Sequence, residues 1–189
     1  MKENPYETAG DEQPKLSKMD EFMQTLNREP IPTNEAMQKG IDFEHLVTRE
    51  IFGAGDPENR WHDAAVVVAE ELKGAHLQYR GKKDVTVLGI PLLLYGRFDA
   101  LLAGVVYDIK FSSKYEAGKY IDSTQHPMYM EICPEANEFT YLVSNGTHVY
   151  KETYRRDETP SIIPLIEQFF NWLESRFLME RYKEKWAAL

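Results

Sequence analysis

The sequence has little of several features that mark particular classes of protein. Its 189 residues include a single cysteine, Cys133, so neither a disulfide within the chain nor a cysteine-only metal centre can form. No run of about 18 apolar residues is present, so we expect no membrane-spanning helix. The first 15 residues also lack the apolar segment of a signal peptide. The expected location is therefore the cytoplasm, without membrane contact.

Positive charge is also scarce. The chain has 22 Lys and Arg against 31 Asp and Glu, and a formal net charge of −9. This balance argues against a protein that coats nucleic acid through bulk electrostatic attraction. It is compatible with an enzyme that gathers carboxylates around metal ions and contacts a polyanion through a local basic patch. Hydrophobic residues make up 42% of the chain, which predicts a folded domain rather than a disordered one.

The apolar pattern predicts a polar tail followed by one α/β domain. Residues 1–14 are polar and aperiodic and are interpreted as a flexible tail, which leaves 15–189 as the domain. The predicted elements are helices over about 16–27, 34–52 and 63–73, strands over 84–88, 91–102 and 105–112, a helix over 123–133, strands over 138–144 and 147–154, and a long helix over 161–186. Gly104 and Asn145-Gly146 mark turns, so the strands flanking each should be antiparallel. The predicted fold is a mixed central β-sheet flanked by helices.

An acid and a base lie two residues apart on the strand predicted at 105–112. Because side chains alternate along a strand, Asp108 and Lys110 should share one face, with Ile109 on the other. An isolated Asp-x-Lys is more often a local ion pair on a wet strand face. Asp99, however, can approach Asp108 across the Gly104 hairpin, and two adjacent carboxylates repel unless a proton or cation lies between them. Such oxygen ligands suit Mg²⁺ or Mn²⁺, and a nearby lysine can activate a water molecule.

The helix predicted at 34–52 adds a further carboxylate. Its apolar stripe is predicted to consist of Met37, Ile41, Val47, Ile51 and Phe52. Glu44 falls within this stripe and His45 at its edge. A carboxylate in an apolar stripe is costly unless it is paired or metal-bound. The alternatives are therefore a metal ligand or an ion pair with a basic residue such as Arg97.

Four short motifs resemble those of the PD-(D/E)XK nucleases. Gly-Arg-Phe-Asp at 96–99 and Asp-Ile-Lys at 108–110 resemble the central signature of that superfamily. Residues 40–44, a glycine followed four positions later by Glu, resemble the helix motif of its RecB-like and phage-exonuclease branches. Gln-x-x-x-Tyr at 125–129 resembles a further motif of the same branches. The four occur in family order and with family-like spacing.

This resemblance implies a restriction-endonuclease-like core of the order αβββαβ, with a divalent metal bound by Glu44, Asp99, Asp108 and the carbonyl of Ile109. It also implies that Lys110 acts in catalysis together with Asp99 and Asp108, and that Gln125 and Tyr129 contact the substrate. Basic residues near these motifs are candidates for contacts with the nucleic-acid backbone: Arg80, Lys82, Lys83, Lys114 and Lys119.

The implied activity is Mg²⁺- or Mn²⁺-dependent hydrolysis of DNA by an exonuclease that serves phage-type recombination or repair. The sequence departs from the family pattern, with Phe98 where proline is common and Glu44 where many RecB-like members carry His. Members with a four-cysteine iron–sulfur cluster are excluded. The alternatives are a restriction- or repair-type endonuclease, and a non-catalytic module that binds DNA or a partner. The expected partners are DNA, a single-strand annealing recombination protein and further copies of the chain.

Other reactive side chains receive structural interpretations. Asp63 is predicted to cap the helix that follows it, rather than to act with His62 in acid–base chemistry. Cys133 is predicted to be an inert, packed thiol. The aromatic residues of the last helix are assigned to the core or to an interface.

Overall fold

A computed structural model describes residues 17–186. The tail predicted at 1–14 lies outside this part of the chain. The elements, in chain order, are α1 (Lys18–Leu26), α2 (Glu35–Ile51), α3 (His62–Glu71), β1 (His76–Val87), β2 (Ile90–Leu102), β3 (Val105–Phe111), α4 (Gln125–Ile132), β4 (Glu138–Ser144), β5 (Val149–Arg155), α5 (Ile163–Ser175) and α6 (Met179–Trp186). A single 3₁₀ turn covers Arg156–Glu158. None of the helices within 17–186 combines the length and the apolar composition needed to cross a membrane.

The strands form one mixed sheet in the order β1-β2-β3-β4-β5. Only β3 and β4 run parallel, and α4 lies between them in the chain, whereas the other neighbouring strands are antiparallel. Both hairpins predicted from Gly104 and Asn145-Gly146 are therefore confirmed. The prediction of a mixed α/β sheet flanked by helices is confirmed as well.

Helices cover both faces of this sheet. On one face, α2 and α3 pack through Phe43, Val47 and Val68 against Ala100 of β2 and Leu142 of β4. On the other face, α4 packs against the strands, and its contacts are made by the following buried residues: Met130, Ile132, Phe98, Val106, Phe139 and Tyr141. A third cluster joins α5 and α6 to the far end of the β1–β2 hairpin. The sheet is thus buried on both sides over β3 and β4.

The first strand is much longer than predicted. The prediction placed it at 84–88, but β1 begins at His76. Its first half has only Leu77 and Tyr79 as large apolar residues, and neither is buried, so the segment lacks the apolar run on which the prediction of the other strands depends. Strand pairing with β2, rather than burial, defines this segment.

The single long helix predicted over 161–186 is wrong. The chain leaves the helix after Ser175, and Phe177 adopts a left-handed backbone conformation with φ of 58°. The amide of Leu178 donates to the carbonyl of Leu173 at 2.8 Å, which closes a helix-terminating turn. The reversal lets α6 fold back toward α1.

Two predictions about helices α2 and α3 are also corrected. Asn34 caps α2, since its side chain accepts from the backbone amide of Met37 at 2.9 Å. The buried residues of α2 all lie in its second half, however, and the predicted stripe members Met37, Ile41 and Phe52 are exposed. Only this second half packs on the sheet.

In α3, Asp63 does not cap the helix. The helix begins one residue earlier, at His62, and no side chain bonds to its free amides. His62 Nδ1 instead lies 2.8 Å from Glu50 Oε1. This contact ties the start of α3 to α2, while Asp63 remains in the first turn, where the helix dipole favours a negative charge.

Candidate functional site

The sheet divides into a fork between β2 and β3. Strands β1 and β2 pair over their whole length, from His76↔Leu101 to Val87↔Ile90. By contrast, β2 and β3 pair only from Leu102↔Val105 to Ala100↔Tyr107. Beyond Ala100 the β1–β2 hairpin diverges from the rest of the sheet. The predicted site residues lie around the opening that this divergence leaves.

An irregularity in the hairpin marks the start of the fork. Gln78 has a positive φ of 52°, and its pairing with Asp99 is missing from an otherwise continuous ladder. Ala100 faces α2 and α3, whereas Phe98 packs against Tyr129 of α4, with ring centroids 4.7 Å apart. Residues two apart on a regular strand share a face, so the hairpin turns over at Asp99, as at a β-bulge.

Asp99 lies at this crossing and bridges the fork. Its Oδ2 accepts from the amide of Ile109 at 2.7 Å, beyond the last backbone pair between β2 and β3. The pKa of Asp99 is raised to about 7, first by burial and then by the charge of Asp108, against the lowering effect of the hydrogen bond from the Ile109 amide. The charged form of this carboxyl group is therefore disfavoured relative to that of an aspartate at the surface.

Asp108 is the more deeply placed carboxylate, with 5% of its surface exposed. Its Oδ1 accepts from the side-chain amide of Gln125, and its Oδ2 lies 2.8 Å from the ammonium of Lys110. Burial raises the pKa of Asp108 and outweighs the lowering effects of Lys110 and Gln125. Apart from this ammonium, Oδ2 has no polar partner within residues 17–186.

The predicted alternation of side chains along β3 is confirmed. Tyr107 and Ile109 pack with the α2–α3 side of the core, whereas Asp108 and Lys110 point to the α4 side. The ammonium of Lys110 also lies 5.9 Å from the ring centroid of Tyr141, the partner of Asp108 on β4. A carboxylate and an aromatic ring thus hold the lysine at the fork.

Helix α4 presents two polar side chains to the same place. Gln125 donates to Asp108, and one turn later Tyr129 donates its hydroxyl to the carbonyl of Arg97 at 3.2 Å. Burial raises the pKa of Tyr129, and the charge of Asp108 contributes. The backbone amide of Gln125 donates to Ser123 Oγ, which also accepts from the Tyr141 hydroxyl at 3.0 Å. Because Gln125 and Tyr129 are four residues apart, both side chains lie on the side of α4 that faces the site.

Glu44 lies at the edge of this group rather than within it. It accepts from the side-chain amide of Gln78 at 2.8 Å, so the alternative partner Arg97 is not the one observed. Its charge contributes to the raised pKa of both Asp99 and Asp108, and the neighbouring His45 is exposed. Within residues 17–186, no three Asp, Glu, His or Cys side chains are arranged to hold a metal ion. The structure brings the two aspartates and Lys110 together and leaves Glu44 bound to Gln78.

Sequence reasoning missed the residue that fixes the segment between β3 and α4. Glu152 of β5 is buried, and it accepts from the Tyr115 hydroxyl at 2.7 Å, the Tyr120 amide at 2.9 Å and the Tyr154 hydroxyl. Burial alone would raise the pKa of Glu152, but these hydrogen bonds outweigh it and lower the pKa. The ring of Tyr120 stacks on Tyr141 at 4.4 Å, next to Lys110. The only sequence signal is a glutamate flanked by tyrosines two residues away on the same strand face.

The predicted basic contacts fall into two groups. Lys83 forms an ion pair with Glu131 at 2.5 Å, and Lys119 donates to Ser112 Oγ at 2.6 Å, so both hold the structure together. Arg80 and Lys82 are exposed on β1, and their side chains form no ion pair with the residues of 17–186. Lys114 is exposed after β3.

Comparison with known proteins gives no family assignment. No family model matches the chain, and no curated protein matches it. Among solved structures, one described as "Crystal structure of SSO0001" has 14% sequence identity and a TM-score of 0.44, and the match covers 85% of this chain and 87% of the other. A similarity of this size establishes neither a common fold nor a common activity.

Proposed function

We propose that this protein is a divalent-metal-dependent nuclease of the PD-(D/E)XK type that hydrolyses phosphodiester bonds in DNA. The observation that carries the proposal is the group of Asp99, Asp108 and Lys110 at the fork. Asp108 is buried and Asp99 is half-buried, burial raises the pKa of both, and the charge of Asp108 raises the pKa of Asp99. Such a pair is unfavourable for stability alone, and a cation between the two carboxyl groups removes that cost. Three of the four sequence motifs contribute residues to the fork, and the fourth places Glu44 at its edge, which supports the same assignment.

The side chains at the fork fit a hard cation. Oδ2 of Asp108 has spare accepting capacity, and Asp99 offers its second carboxylate oxygen. The amide of Ile109 points into the fork, and its carbonyl, which lies on the same edge of the strand, points there too. Glu44 joins this set when it exchanges Gln78 for the ion. When bound, Mg²⁺ or Mn²⁺ supplies a Lewis acid that lowers the pKa of water and neutralises charge on the phosphate.

The protein's own groups then divide the chemical work. Lys110, fixed by Asp108 and Tyr141, holds the attacking water and stabilises negative charge that develops on the phosphoryl oxygens. Gln125 keeps Asp108 in its rotamer, and Tyr129 lines the α4 side, where a substrate phosphate contacts both residues. In-line attack of water on phosphorus leaves a 5′-phosphate and a 3′-hydroxyl.

Within this class, an exonuclease is our first candidate because the motifs resemble those of the RecB-like and phage-exonuclease branches. An exonuclease acts at ends, so linear DNA should be degraded and covalently closed circular DNA should stay intact. Incubation of both with Mn²⁺ on one gel tests this. Cleavage of the circle supports the endonuclease alternative, and cleavage of neither under any divalent metal indicates a non-catalytic module.

The same assay tests the site residues. Asp108→Asn is expected to abolish cleavage and to weaken Mn²⁺ binding in calorimetry, because the variant loses a charged ligand at the fork. Asp157→Asn is the matched control, since Asp157 is an exposed aspartate after β5. Equal Mn²⁺ affinity and equal cleavage in wild type and Asp108→Asn would refute the metal site.

A further inference from the structure

One face of the β1–β2 hairpin is left uncovered beyond the fork. We call it the hairpin face, and it consists of Arg80, Lys82, Asp84, Leu93, Tyr95 and Arg97, all of which are exposed. The alternate residues of the same strands, including Gly81 and Gly96, lie against α4. Helix α2 contacts the hairpin through Glu44, which accepts a hydrogen bond from Gln78 at 2.8 Å. The hairpin face begins two residues further along β1, at Arg80.

The arrangement of the charges on the hairpin face is unfavourable for the stability of the sheet. Arg80 and Arg97 lie directly opposite each other in the ladder, and Lys82 lies opposite Tyr95. Like charges at directly opposed positions destabilise a sheet. No ion pair within residues 17–186 neutralises these three cations. The one acid of this face, Asp84, lies further from the fork.

Lys83 provides the contrast on the same strand. It points to the opposite side, where Glu131 of α4 pairs with it at 2.5 Å. The hairpin thus neutralises a lysine that it uses for packing, whereas three cations on its open face have no ion-pair partner in the described part of the chain, 17–186. In a chain of net charge −9, such a local reversal of sign favours a polyanionic ligand.

The hairpin face also carries exposed apolar groups among its cations. Tyr95 is 68% exposed, and Leu93 precedes it on the same face. Cations interleaved with an exposed aromatic ring form the combination that binds single-stranded nucleic acid, because the phosphates meet the charges and a base stacks on the ring. Bases inside a duplex do not present their faces for such stacking.

The hairpin face is continuous with the fork. Arg97 precedes Asp99 by two residues and Arg80 follows Gln78 by two, so each guanidinium originates about 7 Å along its strand from the crossing. Asp99 spans the fork to the amide of Ile109, so a strand lying along this face meets the fork at Asp99, with Asp108 and Lys110 beyond it on the α4 side. A ligand bound along the strands of the hairpin is therefore directed toward the fork.

We propose that the hairpin face binds a single-stranded segment of the DNA substrate and delivers it to the fork. Arg80, Lys82 and Arg97 contact successive phosphates, and Tyr95 stacks on a base. Taken as substrate delivery, the inference rests on the proposed nuclease function, but binding to the hairpin face can be measured without cleavage.

The test measures the affinity for a fluorescent single-stranded oligonucleotide by anisotropy, in EDTA and over a range of salt concentrations. Arg80→Gln combined with Arg97→Gln should weaken binding about tenfold at low salt. It should also reduce the slope of log affinity against log salt by about 1.4, since each lost phosphate contact removes ~0.7. Tyr95→Ser should weaken single-strand binding about fivefold or more, and binding of a blunt duplex less than twofold.

Two variants elsewhere serve as matched controls. Lys73→Gln removes an exposed cation after α3, and Phe177→Ser removes an exposed aromatic ring between α5 and α6. Both should bind as wild type does. An Arg80/Arg97 double variant that is folded and binds as tightly as the Lys73 control overturns the inference, as does wild type without measurable binding. Equal losses on duplex and single strand for Tyr95→Ser overturn the assignment to single strands.

The outcome is independent of the cleavage assay. Cleavage that is dependent on Asp108, with binding insensitive to the hairpin variants, leaves the nuclease proposal intact and refutes this one. If binding depends on the hairpin face but the protein cleaves no DNA, the nuclease proposal is refuted and the binding of single strands by the hairpin face is upheld.

Discussion

At the scale of single residues, the fork combines groups that stabilise the fold poorly and suit a reaction well. Asp108 is buried, yet neither Gln125 nor Lys110 lowers its pKa enough to offset burial. Lys110 is held at 2.8 Å from that carboxylate and remains 32% exposed. Lys110 is thus both fixed by its partner and accessible to solvent.

Lys110→Met tests this residue directly. The variant keeps most of the side-chain length and removes the ammonium, so we expect cleavage to fall about 10²- to 10³-fold, the usual effect of losing one electrostatic contact to the transition state. Mn²⁺ and DNA binding should change little. Single-turnover cleavage rates and Mn²⁺ calorimetry on the same preparations provide the measurement.

Lys83→Met is the matched control for that experiment. Lys83 also pairs with a carboxylate, at 2.5 Å from Glu131, and its exposure of 38% is similar, but it lies on the α4 side of β1. The control should cleave DNA at close to the wild-type rate. If Lys110→Met also does so, Lys110 is no more than the ion-pair partner of Asp108.

At the scale of elements, local pattern predicted β3 and its surroundings well because the signal there is local. Alternation along one strand placed Asp108 and Lys110 on one face, and the turn at Gly104 brought Asp99 near them. Each of these depends on neighbours within about ten residues.

The parts that the sequence did not predict depend on distant contacts. The first half of β1 is a strand because β2 pairs with it, and its exposed face hides the apolar signal. Nothing in the composition around Phe177 opposes a continuous helix, so the break before α6 follows from packing against α1. The position of Glu44 depends on its hydrogen bond with Gln78, a residue 34 positions away. Gln78 has a positive φ although it is not a glycine, so the sequence gives no sign of this backbone conformation.

Glu152→Gln tests the element that fixes the segment between β3 and α4. Because the folded protein lowers the pKa of Glu152, the charged form contributes stability above the pKa of an unfolded glutamate, about 4.3. That contribution is lost as the pH falls through the lower, folded-state value. We expect the variant to be about 1–3 kcal/mol less stable at pH 7, as is usual for weakened hydrogen bonds to a buried charge.

Urea unfolding of wild type and Glu152→Gln at pH 7 and at successively lower pH measures this effect. The difference in unfolding free energy should be constant above about pH 5 and should shrink below about pH 4. Glu158→Gln, which changes an exposed glutamate in the 3₁₀ turn, should show no such difference. A gap between wild type and Glu152→Gln that is equally large at acid and neutral pH would contradict the assigned role of the charge.

At the scale of the whole molecule, the described chain closes on itself at the end of the hairpin remote from the fork. Helices α5 and α6 pack on that end through Phe170, Leu173 and Met179 against Val87. The first and last described helices then meet. This arrangement supports the hairpin from one end and leaves its open face and the fork at the other.

Trp186→Phe tests this closure separately from the site. The indole of Trp186 donates to the carbonyl of Leu26 at 2.9 Å, and the guanidinium of Arg28 lies 4.9 Å from its ring centroid. Phenylalanine keeps a ring but removes the donor, so the unfolding free energy should fall by about 1 kcal/mol.

Phe177→Leu is the control for this variant. Because Phe177 is 94% exposed, the substitution should change the unfolding free energy by less than about 0.5 kcal/mol. Urea unfolding compares the three proteins, and a cleavage assay on the folded variants should give the wild-type rate, because Asp99, Asp108 and Lys110 lie at the opposite end. If Trp186→Phe unfolds as wild type does, the contact between α1 and α6 adds nothing to stability. If the folded variant loses cleavage, closure at one end of the hairpin controls the fork at the other end.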